Sequence, residues 1–193
     1  MKVLTRPTLA AACALLIAGL AHADDKAANP NVDEAKGLIK QFADQLQSEL
    51  KTSINNGGPI KAIEVCQKRA PAIAAGLSRS SGWEVGRTSL KPRNAKLGAP
   101  DDWERGVLES FETRKASGES VETMAHAEVV ETDQGQRFRF MKAVPTQEVC
   151  LACHGTEISE PVAAALDERY PQDQARGFAL GDIRGAFSLS KPL

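Results

Sequence analysis

The stretch MAHAEVVETDQGQRFRFMKAV, residues 124–144, decides the fold. Met124 to Thr132 is rich in β-branched residues. Gln136 to Val144 alternates, with Phe138 and Phe140 on one face and Arg137 and Arg139 on the other. A period of two belongs to a strand with one buried face. Asp133-Gln134-Gly135 supplies a hairpin connection, and Pro145 ends the pair. A hairpin here argues against an all-helical bundle.

Working outward, Asp101 to Lys115 reads as a helix capped by Asp101, with Trp103, Val107, Leu108 and Phe111 on one side. Trp83 to Leu90 alternates weakly and reads as a strand, followed by the irregular basic loop Lys91-Pro92-Arg93-Asn94. Further upstream, Ala35, Leu38, Ile39, Phe42, Leu46 and Leu50 recur at three- and four-residue steps. They form the apolar stripe of a helix capped by Asp33 and closed before Asn55-Asn56-Gly57-Gly58. Pro59 opens a second helix carrying Ile63, Cys66, Ala70 and Ile73 on one face, which Pro71 should kink or split. Downstream come a helix at Pro161 to Arg169 and a last strand at Ile183 to Ser190. This order predicts an α+β domain, an antiparallel sheet flanked by helices with a long helix at its N-terminal end.

The 193 residues divide into three parts. Residues 1–23 read as a signal peptide: Lys2 and Arg6 precede the short apolar run Leu9 to Leu20, and Ala21-His22-Ala23 is a small-x-small cleavage site. The run is too short to span a bilayer. Cys13 lies inside it, too far from the cleavage site to be a lipid anchor. Residues 24–32 form a flexible leader, and 33–193 a single domain. Cleavage after Ala23 takes away two basic residues and moves the net charge from −1 to −3. The mature chain is expected to be soluble and periplasmic, with no membrane span. Without a basic excess it offers nothing to nucleic acid.

Three cysteines then remain in an oxidising compartment, an odd number. Cys150-Leu151-Ala152-Cys153-His154 is a C-x-x-C-H motif, the spacing for covalent haem attachment. Each thiol forms a thioether to one vinyl group, and on the same helical turn His154 meets the iron. Gly155 lets the chain turn away. A thiol–disulfide pair would need a thioredoxin-like βαβ context, which the sequence lacks. A Cys3His zinc site from Cys66, Cys150, Cys153 and His154 has the right donor count. An exported chain with one such motif favours one c-type haem. For the iron's other face the residues leave Cys66 and His126 open. Met124 and Met141 read as packing. Arg69, Arg87, Lys91 and Arg93 are candidate partners for the haem propionates, since buried carboxylates prefer arginine.

The segment Ala62 to Ala74 around Cys66 resembles a family of exported single-haem c-type domains with a PAS-like fold. Arg87-Thr88-Ser89-Leu90-Lys91-Pro92-Arg93-Asn94, Trp103-Glu104, the late C-x-x-C-H-Gly and the closing Gly181-Asp182-Ile183-Arg184-Gly185-Ala186 match it too. The resemblance covers roughly residues 33 to 190, with Ala95 departing where the family has proline. It implies a PAS-like fold, His154 as fifth iron ligand and Cys66 as sixth. A thiolate ligand favours ferric iron and a low reduction potential. Its release on reduction would open a place for a small gas. The expected function is therefore periplasmic redox or small-ligand sensing, with an undetermined protein partner to carry the signal. The alternative is a periplasmic electron-transfer cytochrome c. An enzyme would need acid–base groups beside an open iron, and only His126 offers itself.

Overall fold

The computed structural model describes residues 29–193. The signal peptide and the start of the leader lie outside the described residues. Ten elements follow in order: α1 (Pro30–Glu64), a π-helical turn (Val65–Arg69), α2 (Ala70–Ser81), β1 (Glu84–Thr88), α3 (Asp102–Ala116), β2 (Ala125–Thr132), β3 (Gly135–Pro145), α4 (Glu148–His154), α5 (Glu160–Arg169) and β4 (Ile183–Pro192). The strands form one antiparallel sheet in the order β1-β4-β3-β2. Helices flank it, as the sequence predicts.

The hairpin is the one read from residues 124–144. Thr132 pairs with Gly135, so the loop is Asp133-Gln134. Helix α1 starts earlier than expected. Asn29 caps it by accepting the Asn31 N–H at 3.0 Å, and Pro30 occupies the first turn. Asp33 is thus not the cap but an acid in the first turn, where it complements the positive end of the helix dipole. Gly57 and Gly58 leave helical geometry, so the break falls where the glycines stand, a few residues past the expected end.

Pro71 does not split the second helix. It has no N–H to give to Gln67, and the chain answers with a π-helical turn just before it, in which the Ala70 N–H reaches Val65 O. The widened turn absorbs the proline, and α2 runs on to Ser81. Cys66 lies in that turn.

Two cores lie on opposite faces of the sheet. On one, Leu38, Phe42 and Leu46 of α1 with Ile73 and Leu77 of α2 cover Phe138, Phe140, Phe187 and Leu189. Phe42 meets Phe187 edge to face at 5.3 Å. On the other, Val107, Leu108 and Phe111 of α3 cover Met141, Ala143 and Ala186, with Met124 beside them. Both methionines are fully buried packing residues. A smaller cluster of Ile63, Val162, Leu166 and Tyr170 holds α5 against α1 and touches Cys153.

One irregularity matters for the site. Val144 pairs with Gly185 but Pro145 pairs with Ile183, leaving Arg184 as an extra residue of β4 with no partner. This bulge breaks the alternation of β4, and Arg184 points to His154.

Candidate functional site

Helix α4 is a single short segment with Gln147 at its N-cap. Residues three and four apart share a helix face, so Cys150, Cys153 and His154 point the same way. The helix ends because Gly155 turns extended. A β-carbon there would press on Leu151 O, so the glycine serves close approach rather than a left-handed turn.

His154 Nδ1 lies 2.8 Å from Ala175 O and donates to it. That fixes the tautomer and puts the ring's lone pair on Nε2, the atom a metal ligand uses. Burial pushes the imidazole down to about 2, helped by the nearby Arg184 and Arg93 charges, so it is neutral at physiological pH. Phe178 meets the ring edge-on at 6.2 Å. Arg184 Nε sits 3.1 and 3.4 Å from the two ring nitrogens. Since Nδ1 carries the hydrogen, only Nε2 can accept from it.

Cys66, on the π-helical turn, lies within electrostatic reach of this group. Burial pushes its thiol up, against the pull of Arg87, Arg93 and Arg184, and the Cys150 thiol lies within electrostatic reach. Burial likewise raises Cys153, which feels both other cysteines. Cys66, Cys150 and Cys153 are all free thiols. Among the described residues no three Cys, His, Asp or Glu side chains converge on a point fit for a bare ion, so the Cys3His zinc arrangement is not formed. The antiparallel sheet also lacks the βαβ setting of a thioredoxin-type pair.

Of the candidate cations, Arg87 lies within electrostatic reach of Cys66. It is exposed, and its guanidinium lies over the Phe42 ring at 5.1 Å. Arg69 does not. The π-helical turn carries it outward to an exposed ion pair with Glu49 at 2.7 Å. Lys91 straps a neighbouring loop instead, donating to Arg176 O and lying over Phe178 at 4.5 Å. Arg93 is buried, with Nε and Nη2 committed to Asp173, Cys153 O and Ala175 O. His126 stands on β2, an edge strand, against Trp103 and 3.3 Å from Glu128, away from the cysteines.

Sequence reasoning missed Arg184, Asp173 and Ala175. An arginine followed by glycine inside a strand was a readable sign of the bulge. The irregular segment holding Asp173 and Ala175 gave none.

The donor set suits a flat, anionic tetrapyrrole better than an ion: two thiols on one helical turn, an imidazole whose lone pair is on Nε2 beside Arg184, a third thiol within electrostatic reach, and arginines Arg87 and Arg184 with no carboxylate in salt-bridge range among the described residues. The Tll0287-like family model matches residues 25–192. This chain belongs to the Tll0287-like family. A solved structure described as the cyanobacterial heme-protein Tll0287 is similar in fold, with a TM-score of 0.65 and 24% identity. The match covers 86% of this chain and 97% of that one. None of the curated proteins matches the sequence. The candidate site of this Tll0287-like chain draws on two distant parts of the sequence, the π-helical turn at residues 65–69 and α4 at residues 148–154.

Proposed function

We propose that this chain is an exported protein carrying one covalent c-type haem and serving as a periplasmic redox or small-gas sensor. One observation carries the reading. Cys150, Cys153 and His154 share one helical turn, and the Cys150 and Cys153 thiols lie within electrostatic reach of Cys66 on the π-helical turn, with Arg87 and Arg184 close to Cys66. The family membership, and the heme-protein named among similar folds, support it.

In this reading Cys150 and Cys153 hold the haem through thioethers. His154 Nε2 and the Cys66 sulfur would be the ligands to its iron. Arg87 and Arg184 offer charge to its propionates. Bound there, the haem supplies a one-electron iron centre. Thiolate donation from Cys66 favours the ferric state and lowers the potential. Ferrous iron carries less positive charge, so Cys66 is held less firmly after reduction. Its departure would free one face for a small neutral ligand, a ligand-state switch driven by redox state.

The test is absorption and EPR spectroscopy of the holoprotein and of Cys66→Ala, ferric and reduced. Low-spin thiolate-type ferric signals that vanish in the variant, with loss of the sulfur ligand on reduction, are expected. Unchanged spectra would overturn the Cys66 assignment. Retention of the ligand in both states would make the chain a periplasmic electron carrier instead.

A further inference from the structure

Arg93 and Asp173 form an ion pair whose side chains are 9% and 2% exposed, 3.1 Å apart. Both also grip the main chain. Arg93 Nη2 donates to Ala175 O at 2.9 Å and to Cys153 O at 2.5 Å. Asp173 Oδ1 accepts the Ala175 N–H at 2.8 Å. Ala175 is thus clamped at its N–H by the acid and at its carbonyl by the base. That same carbonyl accepts the hydrogen bond from His154 Nδ1.

A buried ion pair is a poor device for stability alone, because desolvation offsets most of its attraction. Its place here suits another role. We propose that Arg93 and Asp173 are positioning residues which set how strongly His154 donates to an iron bound at Nε2. The inference rests on the haem reading above. A strong acceptor at Nδ1–H makes an imidazole a better donor through its other nitrogen. Arg93 shares the acceptor oxygen, draws electron density from it and weakens that effect. Asp173 restrains Arg93 by balancing its charge. The two residues therefore act on the iron with opposite sign.

The experiment is a spectroelectrochemical titration of the wild-type holoprotein, Arg93→Gln, Arg93→Lys and Asp173→Asn, with EPR of each ferric form. Arg93→Gln removes the cation and frees Ala175 O to pull harder on Nδ1–H, so its potential falls. Asp173→Asn keeps an oxygen for the Ala175 N–H but removes the charge that balances Arg93 and also pairs with Arg176 at 2.9 Å, so its potential rises. Arg93→Lys restores the charge and returns the potential toward wild type. Shifts of the same sign in Arg93→Gln and Asp173→Asn, or none, would overturn the inference and leave the pair a structural clasp. If Arg93→Gln fails to fold, Asp173→Asn decides alone: an unchanged or lower potential overturns it. Wild-type chain that takes up no covalent haem when made with attachment machinery would overturn the haem reading itself, and this inference with it.

Discussion

Gly185 is pressed against the main chain of Thr88, so closely that a β-carbon on residue 185 would overlap the Thr88 carbonyl oxygen. Its φ of 148° is also one that L side chains rarely adopt. The strain sits next to the bulge that presents Arg184 to His154. Gly185→Ala should cost about 3 kcal/mol, from backbone strain together with the collision. Urea unfolding of the haem-free chain measures this. A variant as stable as wild type would show that the bulge tolerates a side chain.

His126→Ala and Arg69→Ala test the two sequence candidates that the fold carries away from the site. His126 pairs with Glu128, and Arg69 with Glu49, at exposed positions. Exposed pairs contribute roughly 0–1 kcal/mol. Neither variant should change the absorption spectrum of the holoprotein, and neither should lose more than about 1 kcal/mol of stability. A changed ferric spectrum in His126→Ala would return that residue to the iron.

What could be read from the sequence follows from range. The Phe138/Arg139 alternation and the Leu38–Phe42 stripe are local patterns set by one buried face, and they place the hairpin and the body of α1, though not the ends of that helix. Cys150, Cys153 and His154 are held by one helical turn, so their spacing sufficed. Arg69 misled because nearness in sequence to Cys66 does not fix direction: the π-helical turn sends the two side chains apart. The basic loop Lys91-Pro92-Arg93-Asn94 suggests Arg93 as a partner for the haem propionates. Its real partners are 60 to 82 residues away, in segments without periodicity. Such contacts leave no local trace.

Asp173 gives a pH dependence. Burial pushes its carboxyl up, but the Arg176 hydrogen bond, the Ala175 N–H and Arg93 outweigh it, and the net pKa is below the ordinary carboxylate value. The unfolded chain therefore takes up this proton first as pH falls. The stabilisation is present above about pH 4, the unfolded value, and is lost as pH falls through the lower folded value. Asp173→Asn should be about 1–3 kcal/mol less stable than wild type at pH 7. That gap should narrow in acid. Urea midpoints for both chains from pH 7 to 3 test it. A gap constant with pH would mean that the carboxylate's charge contributes nothing.

Cys150 and Cys153 are expected to behave alike toward haem and differently toward the fold. Each forms one thioether in the proposed holoprotein, so Cys150→Ala and Cys153→Ala should each keep haem on the chain through the other sulfur. Both should survive acid extraction with the haem mass attached, and the double variant should release it. The haem-free chains should separate the two. Cys153 packs against the cluster of Ile63, Leu166 and Tyr170 that joins α5 to α1. Cys150 lies at the start of α4, where its sulfur meets only the Gln147 N–H at 3.4 Å among the described hydrogen bonds. Trimming a packed thiol removes apolar contact, so Cys153→Ala should cost about 1 kcal/mol and Cys150→Ala about half that or less. Mass spectrometry after extraction and urea unfolding of each variant give both answers. Release of haem from either single variant would limit covalent attachment to one sulfur.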